Sequence, residues 1–91
     1  MSYRIIYTPG YNGRASHFIK KHPELLHQYR KTLLLLEIDP FHRSLRLHRL
    51  KGSLSNLFSI SINISYRITL ELILEGQTII PVDVGSHDDV Y

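Results

Sequence analysis

The sequence has no cysteine, so the chain can form neither a disulfide nor a thiolate metal site. This fits the reducing environment of the cytoplasm. Its longest unbroken apolar run, Leu33 to Leu36, is far shorter than the roughly 20 residues needed to cross a bilayer. No signal-peptide pattern opens the chain. We therefore expect a soluble, cytoplasmic protein that does not interact with membranes.

The chain is also too short for more than one domain, and we expect residues 1–91 to fold as a single unit. A protein of this size buries only about 60% of the surface of its unfolded chain. The 43% content of hydrophobic residues is nevertheless enough for a core.

Acidic residues are scarce in the first part of the chain. Residues 1–51 contain ten Lys and Arg but three acidic residues, for a net charge of +7, whereas residues 52–91 carry −4 with Arg67 as their one basic residue. This asymmetry suggests a polyanionic partner for the basic part. A merely solvated surface explains it equally well.

Periodicity divides the first half into one strand and two helices. The alternation of Tyr3, Ile5 and Tyr7 predicts a strand that Thr8-Pro9-Gly10 ends. Two stripes of helical period follow, separated by Pro23 and closed by Asp39-Pro40. Their members are Tyr11, Ala15, Phe18 and His22, then Leu26, Tyr29, Leu33 and Leu36. We expect a helical hairpin with a very short joint, and irregular structure over 40–55.

The second half alternates apolar and polar residues with a period of two, as β-strands do. The apolar members are Phe58, Ile60, Ile62, Ile64, Tyr66, Ile68, Leu70, Leu72 and Leu74. After a turn at 75–77, Ile80, Val82 and Val84 are expected to face inward. Pro81 has no N–H, which predicts an unpaired stretch, an edge or a bulge. The predicted fold class is α+β, in the order β-α-α-β-β-β.

In this fold the N-terminal helical hairpin packs on one face of an antiparallel sheet, and the other face is polar and open. Strand parity places Ser59, Ser61 and Arg67 on the open face, and His87 follows if the parity continues. A histidine transfers protons near neutral pH. An arginine on a strand is also often a solvated or ion-paired residue, so the pattern alone leaves both interpretations open.

A basic cluster precedes these strands. It consists of Arg43, Arg46, His48, Arg49 and Lys51. Lys and Arg bind phosphates by charge, and Arg adds a bidentate fork, so the cluster indicates sequence-independent contacts to nucleic acid. The alternative is a basic loop that shields the leucines beneath it. The five-residue spacing of His17, His22 and His27 does not fit helical metal ligands, and we expect no metal site and no cofactor.

Short motifs with a characteristic order extend this interpretation. They are residues 47–53 (LHRLKGS), Tyr66-Arg67-Ile68 and residues 84–91 (VGSHDDVY), together with the opening strand and Thr8-Pro9. In this respect the chain resembles, over nearly its whole length, the RelE/ParE superfamily of toxins of bacterial type II toxin–antitoxin systems, and most of all its YafQ-like branch. The resemblance implies the RelE-like fold.

The resemblance also implies a ribosome-dependent endoribonuclease, an mRNA interferase that cuts mRNA in the ribosomal A site. His48 then matches a catalytic histidine, Arg67 an arginine of the transition state, His87 the proton donor and Tyr91 a C-terminal aromatic ring that stacks on a base. The basic face would contact ribosomal RNA. The implied protein partner is a cognate antitoxin, through which alone the toxin would contact operator DNA.

The chain departs from the YafQ-like pattern at two positions. Ser61 and Ser65 stand where that branch has a further catalytic histidine and aspartate, and serine does not titrate near neutrality. Two alternatives to the nuclease therefore remain. One is a ParE-like inhibitor of DNA gyrase, and the other is a toxin fold kept as a non-catalytic binding module.

Overall fold

The computed structural model describes residues 2–52 and 56–86. Their helices and strands are β1 (Arg4–Ile5), α1 (Pro9–Lys21), α2 (Leu26–Ile38), β2 (His48–Arg49), β3 (Phe58–Ser61), β4 (Tyr66–Ile73) and β5 (Thr78–Ser86). The predicted α+β class, with a helical hairpin packed on one face of a sheet, is confirmed. Residues His87 to Tyr91 lie outside the described ranges, so the predicted roles of His87 and Tyr91 stay predictions.

Helix α1 begins and ends at the signals that the sequence carries. The hydroxyl of Thr8 accepts a hydrogen bond from the backbone N–H of Tyr11 at 3.2 Å, and Pro9 occupies the first turn, where no N–H is needed. The helix ends at Lys21. Pro23 then opens a 3₁₀ turn that leads directly into α2, so the short joint of the predicted hairpin is confirmed.

Five strands of the described residues form one sheet in the order β1-β5-β4-β3-β2. Strands β3, β4 and β5 form the predicted antiparallel meander. The sheet differs from the prediction at both edges. Strand β1 pairs parallel with β5, which makes the sheet mixed, and His48–Arg49, expected to be irregular, form the short strand β2 against β3.

The alternation of residues 58–74 is interrupted where β3 turns into β4. Strand β3 ends at Ser61, and the side-chain carboxamide of Asn63 accepts hydrogen bonds from the backbone N–H groups of Ser65 and Tyr66, each at 2.9 Å. This Asx turn replaces the strand conformation. Ile64, expected to face inward, is consequently 92% exposed at its tip.

Strand β5 contains the bulge that Pro81 predicts. Thr69 pairs with Asp83 but Leu70 pairs with Pro81, so Val82 is an extra residue in β5. The bulge reverses the side-chain parity, and it is Ile79, not Ile80, that is completely buried. The expectation that Ile80, Val82 and Val84 form one inward set is therefore wrong. The carbonyl of Val82 accepts hydrogen bonds from Nε and Nη2 of Arg14 at 3.1 and 2.7 Å.

A hydrogen bond between two tyrosines joins the helices inside the core. Residues of both layers that are completely buried include Tyr11, Leu36, Ile60, Ile68, Leu70 and Ile79. The hydroxyl groups of Tyr11 and Tyr29 lie 2.7 Å apart, so each satisfies the other away from water. Burial raises the pKa of Tyr11 far above that of a free tyrosine, and burial also raises the pKa of Tyr29.

We expect the free energy of unfolding to fall as the pH rises above 10.0, the ordinary pKa of tyrosine. The unfolded chain releases the two phenolic protons first and so binds fewer protons, which gives a negative slope of up to about 1.4 kcal/mol per pH unit for each tyrosine. Urea unfolding between pH 9 and 11 measures it. The Tyr11→Phe variant should show a shallower slope. Equal slopes in the variant and the wild-type protein would contradict a contribution of Tyr11 to this pH dependence.

Candidate functional site

One row of polar side chains crosses three strands on the sheet face opposite the helices. His48 pairs with Ser59, and Ser59 pairs with Thr69. Directly opposed residues of antiparallel strands project to the same side, so these three share a face. In the next row Ser61 pairs with Arg67 on the same side. We call these five residues the polar face.

The centre of the polar face is less open than the sequence predicts. Ser59 is completely buried, Thr69 is 3% exposed and Arg67 is half-buried, which corrects the expectation of a wholly solvated face. Within the part of the chain that the structure describes, Ser59 Oγ, Thr69 Oγ1 and Arg67 Nε are buried without a hydrogen-bond partner. Such groups are costly to leave unpaired.

A groove of about 210 Å³ lies at the end of this face. Its lining residues are Ser44, Arg46, Ser61, Ile62, Asn63, Ile64 and Arg67, and we call it the arginine groove. The Nη1 atom of Arg67 donates to Ser61 Oγ over a long 3.4 Å. The groove thus brings together a predicted catalytic residue, Arg67, and a predicted RNA-binding residue, Arg46.

Local backbone geometry delivers Arg46 to the groove. A 3₁₀ turn over Arg43–Leu45 precedes it, with the imidazole of His42 accepting from the N–H of Ser44 at 3.2 Å. Arg46 then adopts the left-handed conformation, with φ of 52°, which reverses the chain before β2. Neither signal is periodic, and this is why the sequence showed only an irregular basic stretch here.

His48 lies on the polar face, two residues after the groove residue Arg46. Its Nδ1 lies 3.2 Å from the carbonyl oxygen of Arg46. A carbonyl only accepts, so this hydrogen bond requires the proton on Nδ1. His48 and Arg67 are two strands and two residues apart, about 12 Å between Cα atoms by standard sheet spacing.

The structure does not bring the other predicted cations to this site. Arg49 pairs with Phe58, and its guanidinium carbon lies 5.1 Å above the Phe58 ring, on the face that carries the core. Arg43 and Lys51 are exposed and do not line the arginine groove. Ser61 lines the groove, whereas Ser65 is exposed in the turn that Asn63 holds.

Sequence reasoning missed Ser44, Asn63 and Thr69 as parts of the site. The Asn63-Ile64-Ser65 turn carried a usable signal, since asparagine before a strand start often forms an Asx turn. Among the described residues no group of three or more His, Cys, Asp or Glu side chains is placed to hold a metal ion. None of the helices in residues 2–52 and 56–86 is long and apolar enough to cross a membrane.

Known proteins match the chain in structure but not in sequence. No protein-family model and no curated protein sequence matches it. The toxin in the Escherichia coli DinJ–YafQ complex superposes with a TM-score of 0.78 at 14% identity, covering 100% of this chain and 99% of that one. The YoeB/ParE toxin from Agrobacterium tumefaciens gives 0.73 at 14% identity, with 92% and 98% covered.

A third solved structure is the toxin–antitoxin complex RelBE2 from Mycobacterium tuberculosis, with a TM-score of 0.62, 17% identity and coverage of 96% of this chain and 100% of that one. Matches of this length span the helical hairpin and the whole sheet together. At these identities the likeness is one of architecture. The chain therefore has the fold of the RelE/ParE toxins, and the YafQ-like resemblance carried by its motifs is confirmed at that level.

Proposed function

We propose that this chain is the toxin of a type II toxin–antitoxin system and that it cleaves mRNA in the ribosomal A site. One observation carries the proposal: Arg67 and Arg46 line one groove, next to His48 on the same sheet face. Two guanidinium groups attract and hold a phosphodiester, and an imidazole beside them transfers a proton. Because ribosomes and mRNA are its substrates in this proposal, the protein would act in the cytoplasm.

The proposed reaction is an internal attack of the ribose 2′-OH on the adjacent phosphorus. His48 removes the 2′-OH proton, and the new O2′–P bond forms as the P–O5′ bond breaks. His87 protonates the departing 5′-oxygen, and Tyr91 stacks on a neighbouring base, as the family resemblance implies. The products are a 2′,3′-cyclic phosphate and a 5′-hydroxyl. Each proton transfer contributes about 10²- to 10⁴-fold.

Arg67 stabilises the phosphorane, on which negative charge accumulates. Its partly buried guanidinium acts in a medium of lower dielectric than water, where a fixed positive charge is most effective. Ser61 positions it through the contact between Ser61 Oγ and Nη1. Because serine cannot replace a titrating group, the two histidines carry all of the proton transfer in this scheme.

A non-catalytic binding module is the second candidate. Ser61 and Ser65 occupy the two positions where the YafQ-like branch has a titrating side chain, which favours binding over turnover. The same groove and polar face would then hold RNA without cutting it. The proposed role of His48 as a base distinguishes the two candidates.

An antitoxin is the proposed protein partner. Two of the solved structures to which the chain is similar are toxins bound to an antitoxin, the DinJ–YafQ and RelBE2 complexes. Leu34 and Ile38 of α2 and Phe41, which follows the helix, are apolar residues that are 62%, 65% and 55% exposed. A protein that covers the toxin would bury this surface and block the basic residues near the arginine groove.

The decisive test is translation of a defined mRNA by purified ribosomes in the presence of the protein, with mapping of new RNA ends. We expect cuts that leave a 2′,3′-cyclic phosphate and depend on ribosomes. His48→Ala should lower the rate, whereas His27→Ala, an exposed histidine on α2, serves as the matched control. Intact mRNA together with gyrase-dependent DNA breaks would favour the ParE-like alternative. Intact mRNA together with tight binding of an antitoxin would favour the non-catalytic binding module.

Removing the charge of Arg46 should weaken RNA binding in a salt-dependent manner. Arg46→Asn loses the cation but tolerates the left-handed backbone. For single-stranded RNA, we expect the slope of log K against log salt concentration to become shallower by about 0.7, the share of one phosphate contact. Fluorescence anisotropy with a labelled RNA measures this slope. Arg49→Asn, on the opposite face, should leave the slope unchanged. Equal changes of the slope in the two variants would contradict a role of Arg46 in the RNA-binding site.

A further inference from the structure

A second cavity, of about 330 Å³, lies on the helical side of the sheet. It is lined by Gly13, Arg14, His17, Phe18, Lys21, His22, Tyr66, Asp83, Val84, Gly85 and Ser86, and we call it the α1 cavity. Its volume is at the lower end of the range of about 300–1,000 Å³ typical of small-molecule sites. It is separate from the arginine groove, with which it shares no lining residue.

The α1 cavity is predominantly cationic. Arg14, His17 and Lys21 follow the i, i+3, i+7 spacing that puts side chains on one face of a helix. Asp83 is the one acidic lining residue, and its Oδ1 lies 3.7 Å from Nε of Arg14, which offsets its charge. Lys21 and the imidazole of His17 therefore remain to bind an anion.

Three rings packed together form one side of this cavity. The ring of Tyr66 lies 5.3 Å from Phe18 and 4.7 Å from His22, and Phe18 lies 5.0 Å from His22, all between centroids. Phe18 is buried, but His22 and Tyr66 are only partly so. Exposed aromatic and imidazole rings bind unpaired nucleobases by stacking. Cations beside stacking rings match a nucleotide, which joins a phosphate to a base.

The position of the α1 cavity connects it with the proposed catalytic groove. Tyr66 and Arg67 are consecutive residues of β4, so their side chains project to opposite faces of the sheet. Gly85, which pairs with Arg67, also lines the α1 cavity. The two sites thus lie at the same end of the sheet, one on each face. An RNA strand would have to pass around this end of the sheet to reach both sites.

We propose that the α1 cavity binds one nucleotide of the RNA strand, flanking the one whose phosphodiester lies in the arginine groove. Its phosphate contacts Lys21 and His17, and its base packs against His22 and Tyr66. This inference deepens the proposed function and rests on it for the identity of the ligand as RNA. Binding at the cavity itself is measurable without ribosomes and without cleavage.

The experiment titrates the intact protein with adenosine 5′-monophosphate, adenosine and inorganic phosphate, followed by ¹⁵N amide shifts and calorimetry. We expect the nucleotide to bind at least about 10-fold more tightly than either part, because charge and stacking act together, with shifts confined to residues 13–22, Tyr66 and residues 83–86. Lys21→Glu should weaken nucleotide binding about 10-fold. Lys20→Glu makes the same charge change one residue away from the cavity lining and should have less than a 2-fold effect.

Several outcomes would overturn the inference. Phosphate binding as tightly as the nucleotide would mean an anion site without base recognition, and equal effects of Lys20→Glu and Lys21→Glu would mean a general charge effect. An acidic peptide that binds more tightly and displaces the nucleotide would assign the cavity to a protein. His22→Ala should weaken the binding of the nucleotide but not the binding of inorganic phosphate. If nucleotide binding holds while mRNA stays intact on ribosomes, the proposed nuclease fails and the cavity stands.

Discussion

Arg67→Ala should lower the single-turnover rate of ribosome-dependent mRNA cleavage by about 10²- to 10³-fold, the usual cost of removing one preorganised group that stabilises transition-state charge. The guanidinium lines the groove, and among the described residues its Nη atoms make only the long 3.4 Å contact with Ser61, so they are not already satisfied by the protein. Rapid-quench measurement of cleavage on programmed ribosomes gives the rate. Arg67→Lys keeps the charge without the bidentate fork, and its cleavage rate should lie between those of the wild-type protein and Arg67→Ala.

The Arg67→Ala variant should still fold. The one side-chain hydrogen bond of Arg67 among the described residues is the 3.4 Å contact with Ser61, which is too long to stabilise the fold strongly. Urea unfolding separates a loss of stability from a loss of catalysis. Arg30→Ala removes the same side chain from the exposed side of α2 and should leave the cleavage rate within 2-fold. A wild-type rate for Arg67→Ala would refute the proposed site.

Leu70→Ala should lower the free energy of unfolding by about 2–5 kcal/mol, the range measured for large-to-small changes in cores. Leu70 is completely buried in the middle of β4, between Phe58 of β3 and Pro81 of β5. A small domain has a total stability of about 5–15 kcal/mol, so this one change removes a large fraction of it. Equilibrium unfolding in urea measures the change in midpoint at constant slope.

Leu74→Ala is the matched control for that prediction. Leu74 follows β4, continues the same alternation in the sequence, and is 60% exposed. Its loss should change the free energy of unfolding by no more than about 0.5 kcal/mol, as is usual for surface positions. Comparable losses for the two leucines would show that the strand register is different from the one described.

Local patterning predicted the elements whose periods are unbroken. The apolar stripe from Leu26 to Leu36 and the alternation from Tyr66 to Leu72 identify α2 and β4, because one face of each packs on the core. Strand β2 has two residues and β1 two, too few for any period to show. Their pairing with β3 and β5 is a long-range property that no local pattern reveals.

Parity predicted the site better than composition did. The alternation of β3 and β4 correctly put Ser59, Ser61 and Arg67 on one face, because side-chain direction is fixed by the period of two. The basic cluster gave only charge, which has no direction. Arg46 and Arg49 are three residues apart, yet one lines the groove and the other lies over Phe58. The burial of Ser59 and Thr69 depends on tertiary packing and had no local signal.

The bulge at Val82 divides β5 into two halves with different surroundings. Thr78 and Ile79 pair with β1 and fix that edge of the sheet, whereas Gly85 and Ser86 border the end that carries both candidate sites. The extra residue Val82 separates these two sets of contacts. We therefore expect substitutions at Gly85 and Ser86 to disturb the pairing of β5 with β1 less than substitutions at Thr78 and Ile79 do.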